Sequence, residues 1–118
     1  MKKIIALLGG ALLVSACEND SPADLTYPVP QETITYNAHV KTIINNNCII
    51  CHGTTPSNGA PMPLTTYSAV KQAVQSRGLL DRISRPQGAP GMMPNGGTRL
   101  PQSQIELINQ WAVQGLQE

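Results

Sequence analysis

Two cysteines and a histidine lie within one five-residue stretch, Cys48-Ile49-Ile50-Cys51-His52. The whole chain has 118 residues but only three cysteines and two histidines, so reactive ligands are concentrated here. A thioredoxin-type dithiol needs a strand before the motif, whereas a helix is expected at this place. A structural zinc site needs a fourth ligand, normally from a second Cys/His pair, which the sequence lacks. A disulfide between Cys48 and Cys51 would close a very small loop and leave His52 without a role.

One interpretation of the motif uses all three side chains. Two thiols separated by two residues on a helical turn can form thioethers with the two vinyl groups of a porphyrin, and the histidine that follows can bind the iron. Cys48, Cys51 and His52 therefore predict covalent attachment of one haem c, with His52 as the proximal iron ligand.

A methionine opposite the histidine is the ligand pairing of electron-carrying cytochromes c. Met62, Met92 and Met93 all follow the motif. We predict that Met93 is the distal ligand, because Pro94 favours an extended backbone at the residue before it. Adjacent side chains of an extended segment point opposite ways, so Met92 and Met93 cannot both face the iron. Met92 and Met62 are interpreted as core-filling residues, and both are kept as alternative ligands. His39 is interpreted as a solvated surface residue, with a bis-histidine iron as the alternative.

Helical spacing of apolar residues predicts the elements that position these ligands. Helices are expected over residues 36–46, 67–77, 79–83 and 102–114, with Thr66 as an N-cap and Gly78 and Gly115 as helix stops. Residues 53–64 and 86–98 are rich in proline and glycine and are predicted to be loops. No alternating strand pattern occurs, so the fold class is predicted to be all-α. The chain has one tryptophan and no phenylalanine, and a large apolar cofactor would complete so thin a core.

The first residues have the pattern of an export signal. Lys2 and Lys3 precede an apolar run of eleven residues, which is too short to span a bilayer, and small residues lead to Cys17. Val14-Ser15-Ala16-Cys17 resembles a bacterial lipobox, so residues 1–16 are predicted to be a lipoprotein signal peptide and Cys17 to carry the lipid. Residues 17–33 are predicted to be a flexible tether, and residues 34–118 the folded domain. Glu18 slightly favours the outer membrane.

The domain as a whole resembles a small class I cytochrome c of the kind found in bacterial lipoproteins. The resemblance rests on "HVKTIINNNCIICHG", "PLTTYSAVKQAV", "LLDRI" before "GMMPNGG", and "LPQSQIELINQWAVQG". It implies four or so short helices around a covalently bound haem, with the N- and C-terminal helices crossing. It also implies that Met93 is the distal ligand and that Trp111 packs near the haem. Pro101 departs from the pattern, in which Ser or Thr more often caps the last helix.

These observations predict a monohaem electron carrier and not an enzyme. We expect transient or complex-bound redox partner proteins, a monomer, and a lipid-anchored location on the periplasmic side of a membrane. Removal of residues 1–16 removes Lys2 and Lys3 and leaves six basic and seven acidic residues, a net charge of −1. This charge argues against binding of nucleic acid. The alternatives are a haem enzyme or sensor, peroxidase-like, with an open or labile sixth position, and a fixed haem subunit of a larger membrane complex. Arg82, Arg85 and Arg99 flank the distal loop, and one of them could pair with a haem propionate.

Overall fold

The computed structural model describes residues 31–118, and Glu32–Glu118 form one compact unit. A π-helical turn at Tyr36–Val40 continues directly into helix α1 at Lys41–Asn47. Three further helices follow: α2 at Tyr67–Ser76, α3 at Leu79–Ser84 and α4 at Gln102–Val113. Residues 31–118 contain no strand, which confirms the all-α class. The predicted signal peptide, Cys17 and most of the predicted tether lie outside the described residues.

The first helix differs from the prediction at both of its ends. Its first turn is π-helical, because the Val40 amide bonds to the carbonyl of Thr35 (3.4 Å), five residues earlier. Thr35 is also the N-cap, and its hydroxyl accepts from the Ala38 amide. At the other end the helix extends to Asn47, one residue beyond the predicted limit. The Asn47 side chain donates to the carbonyl of Ile43 (2.8 Å), so this helical turn is satisfied up to the first cysteine.

Helices α2 and α3 meet at a sharp break in the backbone. Thr66 caps α2 as predicted, since its hydroxyl accepts from the Ala69 amide at 3.2 Å. The helix ends at Ser76, and Arg77 follows as the C-cap. Gly78 has a φ of +69°, which residues with a side chain rarely adopt, and it is also the residue from which α3 starts. One glycine therefore ends α2 and turns the chain into α3.

Helix α4 begins directly after Pro101 and ends before Gly115, whose φ of +95° is that of a helix stop. It packs against the π-helical turn and against α3, and α2 packs against α3. Trp111, a residue of α4, is fully buried. The centre of its ring lies 5.9 Å from the centre of the Tyr36 ring and 6.4 Å from that of the Tyr67 ring. Aromatic contacts of this kind contribute about 0.5–1.5 kcal/mol beyond burial of area. The tryptophan thus joins the first and last helical segments to α2.

Hydrogen bonds tie the segment before the first helix to the segment after α4. The Tyr36 amide donates to the Gln117 carbonyl (2.9 Å), and the Gln114 side chain bonds to the Ile34 amide and the Glu32 carbonyl. Glu32, which lies within the range predicted to be the tether, therefore belongs to the folded unit. Within residues 31–118, no helix is both long enough and apolar enough to cross a membrane.

Candidate functional site

A cavity of about 760 Å³ opens between α1, the two long loops and α3. Its volume lies within the roughly 300–1,000 Å³ typical of cofactor and small-molecule sites. The motif residues Cys48, Cys51 and His52 all line it. Most of the rest of its wall is apolar or glycine, from Ile50, Ala60, Pro61, Met62, Leu64, Leu79, Ile83, Met93, Pro94, Leu100, Gly59, Gly96 and Gly97.

The motif forms a single tight turn at the end of α1. Cys48 is the C-cap, and its amide still bonds to the Ile44 carbonyl at 2.8 Å. The Cys48 carbonyl then accepts from the amides of both Cys51 (3.2 Å) and His52 (2.9 Å). These bonds continue the helical path by one turn, and the two thiols and the imidazole consequently line the same cavity.

The two thiols have different surroundings. Burial raises the pKa of the Cys48 thiol to about 11, so this group is neutral at ordinary pH. Cys48 packs against the hydrophobic core, whereas the sulfur of Cys51 accepts a 3.5 Å hydrogen bond from the Asn58 side chain. The two residues are unpaired thiols and form no disulfide with each other.

The orientation of the His52 ring follows from one hydrogen bond. Its Nδ1 lies 2.7 Å from the carbonyl oxygen of Met62, and a carbonyl oxygen can only accept, so Nδ1 carries the proton. The neutral ring therefore keeps its lone pair on Nε2, the arrangement typical of a metal-binding histidine with an outer-shell partner. The His52 carbonyl also accepts from the Leu64 amide at 2.8 Å, which holds the loop 53–64 against the motif.

The three candidate methionines occupy different places. Met93 and Met62 are partly buried and both line the cavity. Met92 is 4% exposed and borders a separate space of about 250 Å³ instead. Met92 is thus buried as expected of a space-filling residue. Met93 and Met62 are the two methionines whose side chains line the cavity that the motif also lines.

Helix α3 and its arginines hold the loop that carries Met93. The Met93 amide donates to the Arg82 carbonyl at 3.1 Å, and the peptide bond between Met93 and Pro94 is cis. Arg85 pairs with Asp81 (2.6 Å) and donates to the Pro90 carbonyl (2.6 Å). Gly91 has a φ of +75°, and a Cβ atom there would meet the guanidinium groups of Arg85 and Arg82. The loop is therefore fixed to α3 on both sides of Gly91.

Two other candidate residues lie away from the cavity wall. Trp111 is buried among aromatic rings, its Nε1 donates to the Gln117 carbonyl (2.7 Å), and it does not line the cavity. His39 is not fully solvated: its Nδ1 accepts from the Thr35 amide, and its Nε2 lies 3.2 Å from the Glu32 carboxylate. Neither side chain lies where it could reach into the cavity directly.

Sequence reasoning missed two contributions to the site. The Met62 thioether, predicted as an alternative ligand, lines the cavity, but the role of the Met62 carbonyl as the hydrogen-bond partner of His52 was not predicted. Arg77 joins Arg82 in the cavity wall, although it lies outside the distal loop. The two prolines that flank Met62 were a signal for a fixed backbone there, whereas no sequence pattern pointed to Arg77. Within residues 31–118, no group of three or more His, Cys, Asp or Glu side chains is arranged to hold a metal ion.

Comparison with protein-family models, with curated proteins and with solved structures finds no match to this chain.

Proposed function

We propose that this protein is a monohaem c-type cytochrome that carries single electrons. The observation that carries the proposal is that Cys48, Cys51, His52 and two methionines, Met62 and Met93, line one largely apolar cavity. That set contains two thiols for covalent attachment and axial ligands of the two kinds that electron-carrying cytochromes c use. The finer fold assignment, a class I cytochrome c, belongs to the same proposal and is supported by the contact between the first helical segment and α4.

The residues fit a porphyrin in three respects. Each thiol can add across a vinyl group, with its hydrogen moving to the neighbouring vinyl carbon, so attachment consumes no oxidant or reductant. The lone pair on Nε2 of His52 is available to iron because Nδ1 is bonded to Met62. The apolar wall would exclude water from a bound ring. A bound haem would supply one-electron chemistry, because its iron alternates between the ferric and ferrous states.

Electron transfer fits the cavity better than catalysis does. A peroxidase-like enzyme needs an open sixth iron position and a nearby acid/base group. Apart from the motif itself, the charged residues of the wall are Arg77 and Arg82, and a guanidinium is not a general base. If His52 and Met93 both bound the iron, no coordination position would be left for a substrate. Transient redox partner proteins, or a larger membrane complex, would exchange electrons with the carrier.

Attachment is tested by producing the full chain in a host that matures c-type cytochromes. We expect one haem per chain to survive denaturation in the wild type and to be lost from the double variant Cys48→Ala/Cys51→Ala. Ile49→Ala is the matched control, because Ile49 lies inside the motif but is exposed and does not line the cavity. Haem that stays covalently bound in the double variant, or a wild type without haem, would refute the proposal.

The state of the iron separates a carrier from an enzyme. We expect an oxidised wild type that is low-spin and has a weak methionine-to-iron charge-transfer band near the red edge of the visible spectrum. A high-spin ferric protein, or one that binds peroxide readily, would contradict the carrier function and favour the enzyme or sensor.

The proposed location is the periplasmic side of a membrane, with the lipid on Cys17. An acyl mass on a mature N-terminal peptide that begins at Cys17 is the expected result. An unmodified thiol at Cys17 would refute the anchor and leave the haem proposal standing.

A further inference from the structure

Two arginines give the cavity wall its permanent charge. Arg77 is the C-cap of α2, and Arg82 lies in α3. The wall has no aspartate or glutamate, and its other polar residues are asparagines and the three motif side chains. The cavity is therefore suited to a ligand that is mostly apolar and carries negative charge at one part of its edge.

The guanidinium groups of the two wall arginines have N–H donors without a partner in residues 31–118. The Arg77 side chain makes no hydrogen bond or ion pair with any part of the chain that the structure describes. Arg82 uses one nitrogen, Nη1, in a 3.3 Å bond to the Gly91 carbonyl. Both side chains are exposed at the cavity opening, where a ligand can reach them.

The other arginines of this region are already engaged inside the protein. Arg85 is bound to Asp81 and to the Pro90 carbonyl. Arg99 donates to the Arg85 carbonyl (3.0 Å) and to the Gln102 side chain (2.9 Å). Neither of them lines the cavity. Of the four arginines, Arg77 and Arg82 line it, and Arg82 also contacts the loop through its bond to Gly91.

We propose that Arg77 and Arg82 bind the carboxylates of the ligand, which on the proposed function are the two propionates of the haem. A guanidinium matches a carboxylate with two parallel hydrogen bonds, and this pairing is stronger at the edge of an apolar cavity than in water. The pairing has a measurable consequence for the iron. Negative charge near the iron stabilises the ferric state, which carries one more positive charge than the ferrous state. Arginines that offset this charge therefore raise the reduction potential.

The test is the midpoint potential of the purified haem protein. Arg77→Gln and Arg82→Gln should each lower the potential, and the double variant should lower it further. Lys41→Gln is the matched control, because Lys41 is an exposed cation of α1 outside the cavity wall, and we expect it to leave the potential unchanged. Arg77→Lys keeps the charge and should restore most of the shift seen in Arg77→Gln.

Haem content and the methionine-to-iron band are measured on the same samples. Variants with full haem, an intact band and the potential of the Lys41→Gln control would overturn this assignment and leave the proposed function standing. If Arg82→Gln loses the band, its effect comes from the loop at Gly91, which would overturn the role of Arg82. Arg77 has no such contact with the loop, so the potential of Arg77→Gln then tests whether an arginine of the cavity wall binds a carboxylate. A wild type without haem would refute the proposed function, and this inference with it.

Discussion

On the proposed function, substitution of the adjacent residues Met92 and Met93 should separate a packing role from a role in binding iron. Met92→Ala removes a side chain that is 4% exposed, and such truncations cost about 2–5 kcal/mol of unfolding free energy. We expect a value near the lower end, about 2 kcal/mol, because one side of Met92 borders an open space of about 250 Å³ and is not closely packed. In a domain of this size that loss corresponds to a Tm lower by about 8–16 °C. The methionine-to-iron band should remain.

Leucine variants remove the methionine sulfur and keep nearly the same volume. Met92→Leu should change the free energy of unfolding by less than about 1.5 kcal/mol, so the Tm should change little. The methionine-to-iron band should also remain. Met93→Leu should keep the packing of the loop and lose the band, with a lower reduction potential, because leucine has no atom that binds iron. Visible spectroscopy of the oxidised protein and a thermal melt measure both quantities.

Met62→Leu completes the comparison, because Met62 is the other methionine in the cavity wall. Its hydrogen bond to His52 comes from the backbone and survives the substitution. The band should therefore persist in Met62→Leu. If it disappears there and persists in Met93→Leu, Met62 is the ligand and our reasoning about the loop before Pro94 is wrong.

Three further outcomes are expected from the helical framework. Trp111→Phe keeps a ring in the core but removes the 2.7 Å bond to the Gln117 carbonyl, which retains the Tyr36 amide as its second donor, so chemical denaturation should show a loss of about 1 kcal/mol; an unchanged midpoint would contradict the role of that bond. Thr66→Ala removes the cap of α2 and should cost about 1 kcal/mol in the same assay, whereas Thr66→Ser should be nearly neutral. Burial, and secondarily the charge of Glu118, raises the pKa of Tyr36 above 10.0, so the folded state holds this proton longer than the unfolded chain does. Stability should consequently not depend on Tyr36 below about pH 10 and should fall as the pH rises beyond it; Tyr36→Phe should weaken that fall, and an identical pH profile would refute the assignment.

The helices could be predicted from the sequence because their signals are local. Thr66 and Gly115 act at the positions where capping preferences placed them. The π-helical turn at Tyr36–Val40 could not be predicted in this way, because apolar spacing over so few residues does not distinguish hydrogen bonds to the fourth residue from bonds to the fifth. Gly78 was expected only to stop a helix, and its second role depends on the direction in which α3 packs.

The site was predictable where it is contiguous and unpredictable where it is assembled by folding. Cys48, Cys51 and His52 form one turn, so their spacing alone placed them together. Met92 and Met93 line different spaces, as the sequence predicted, but they lie in a turn-rich loop, so the extended backbone assumed in that prediction is not what places them. By contrast, the bond from His52 to the Met62 carbonyl joins residues ten apart through a proline-rich loop, and Arg77 lines the cavity from the C-cap of α2, a place that depends on how α2 packs.

The hydrogen bonds between residues 32–37 and 114–118 have a consequence for how this unit can be built into larger proteins. The Tyr36 amide meets the Gln117 carbonyl, and the Asn37 amide meets that of Glu118, so the chain enters and leaves the unit at neighbouring points. Neither segment lines the cavity. A unit with such closely spaced entry and exit can be inserted into a surface loop of another protein, or circularly permuted, with little distortion of either partner. The same architecture can thus serve at the end of a tether, between two domains, or in tandem.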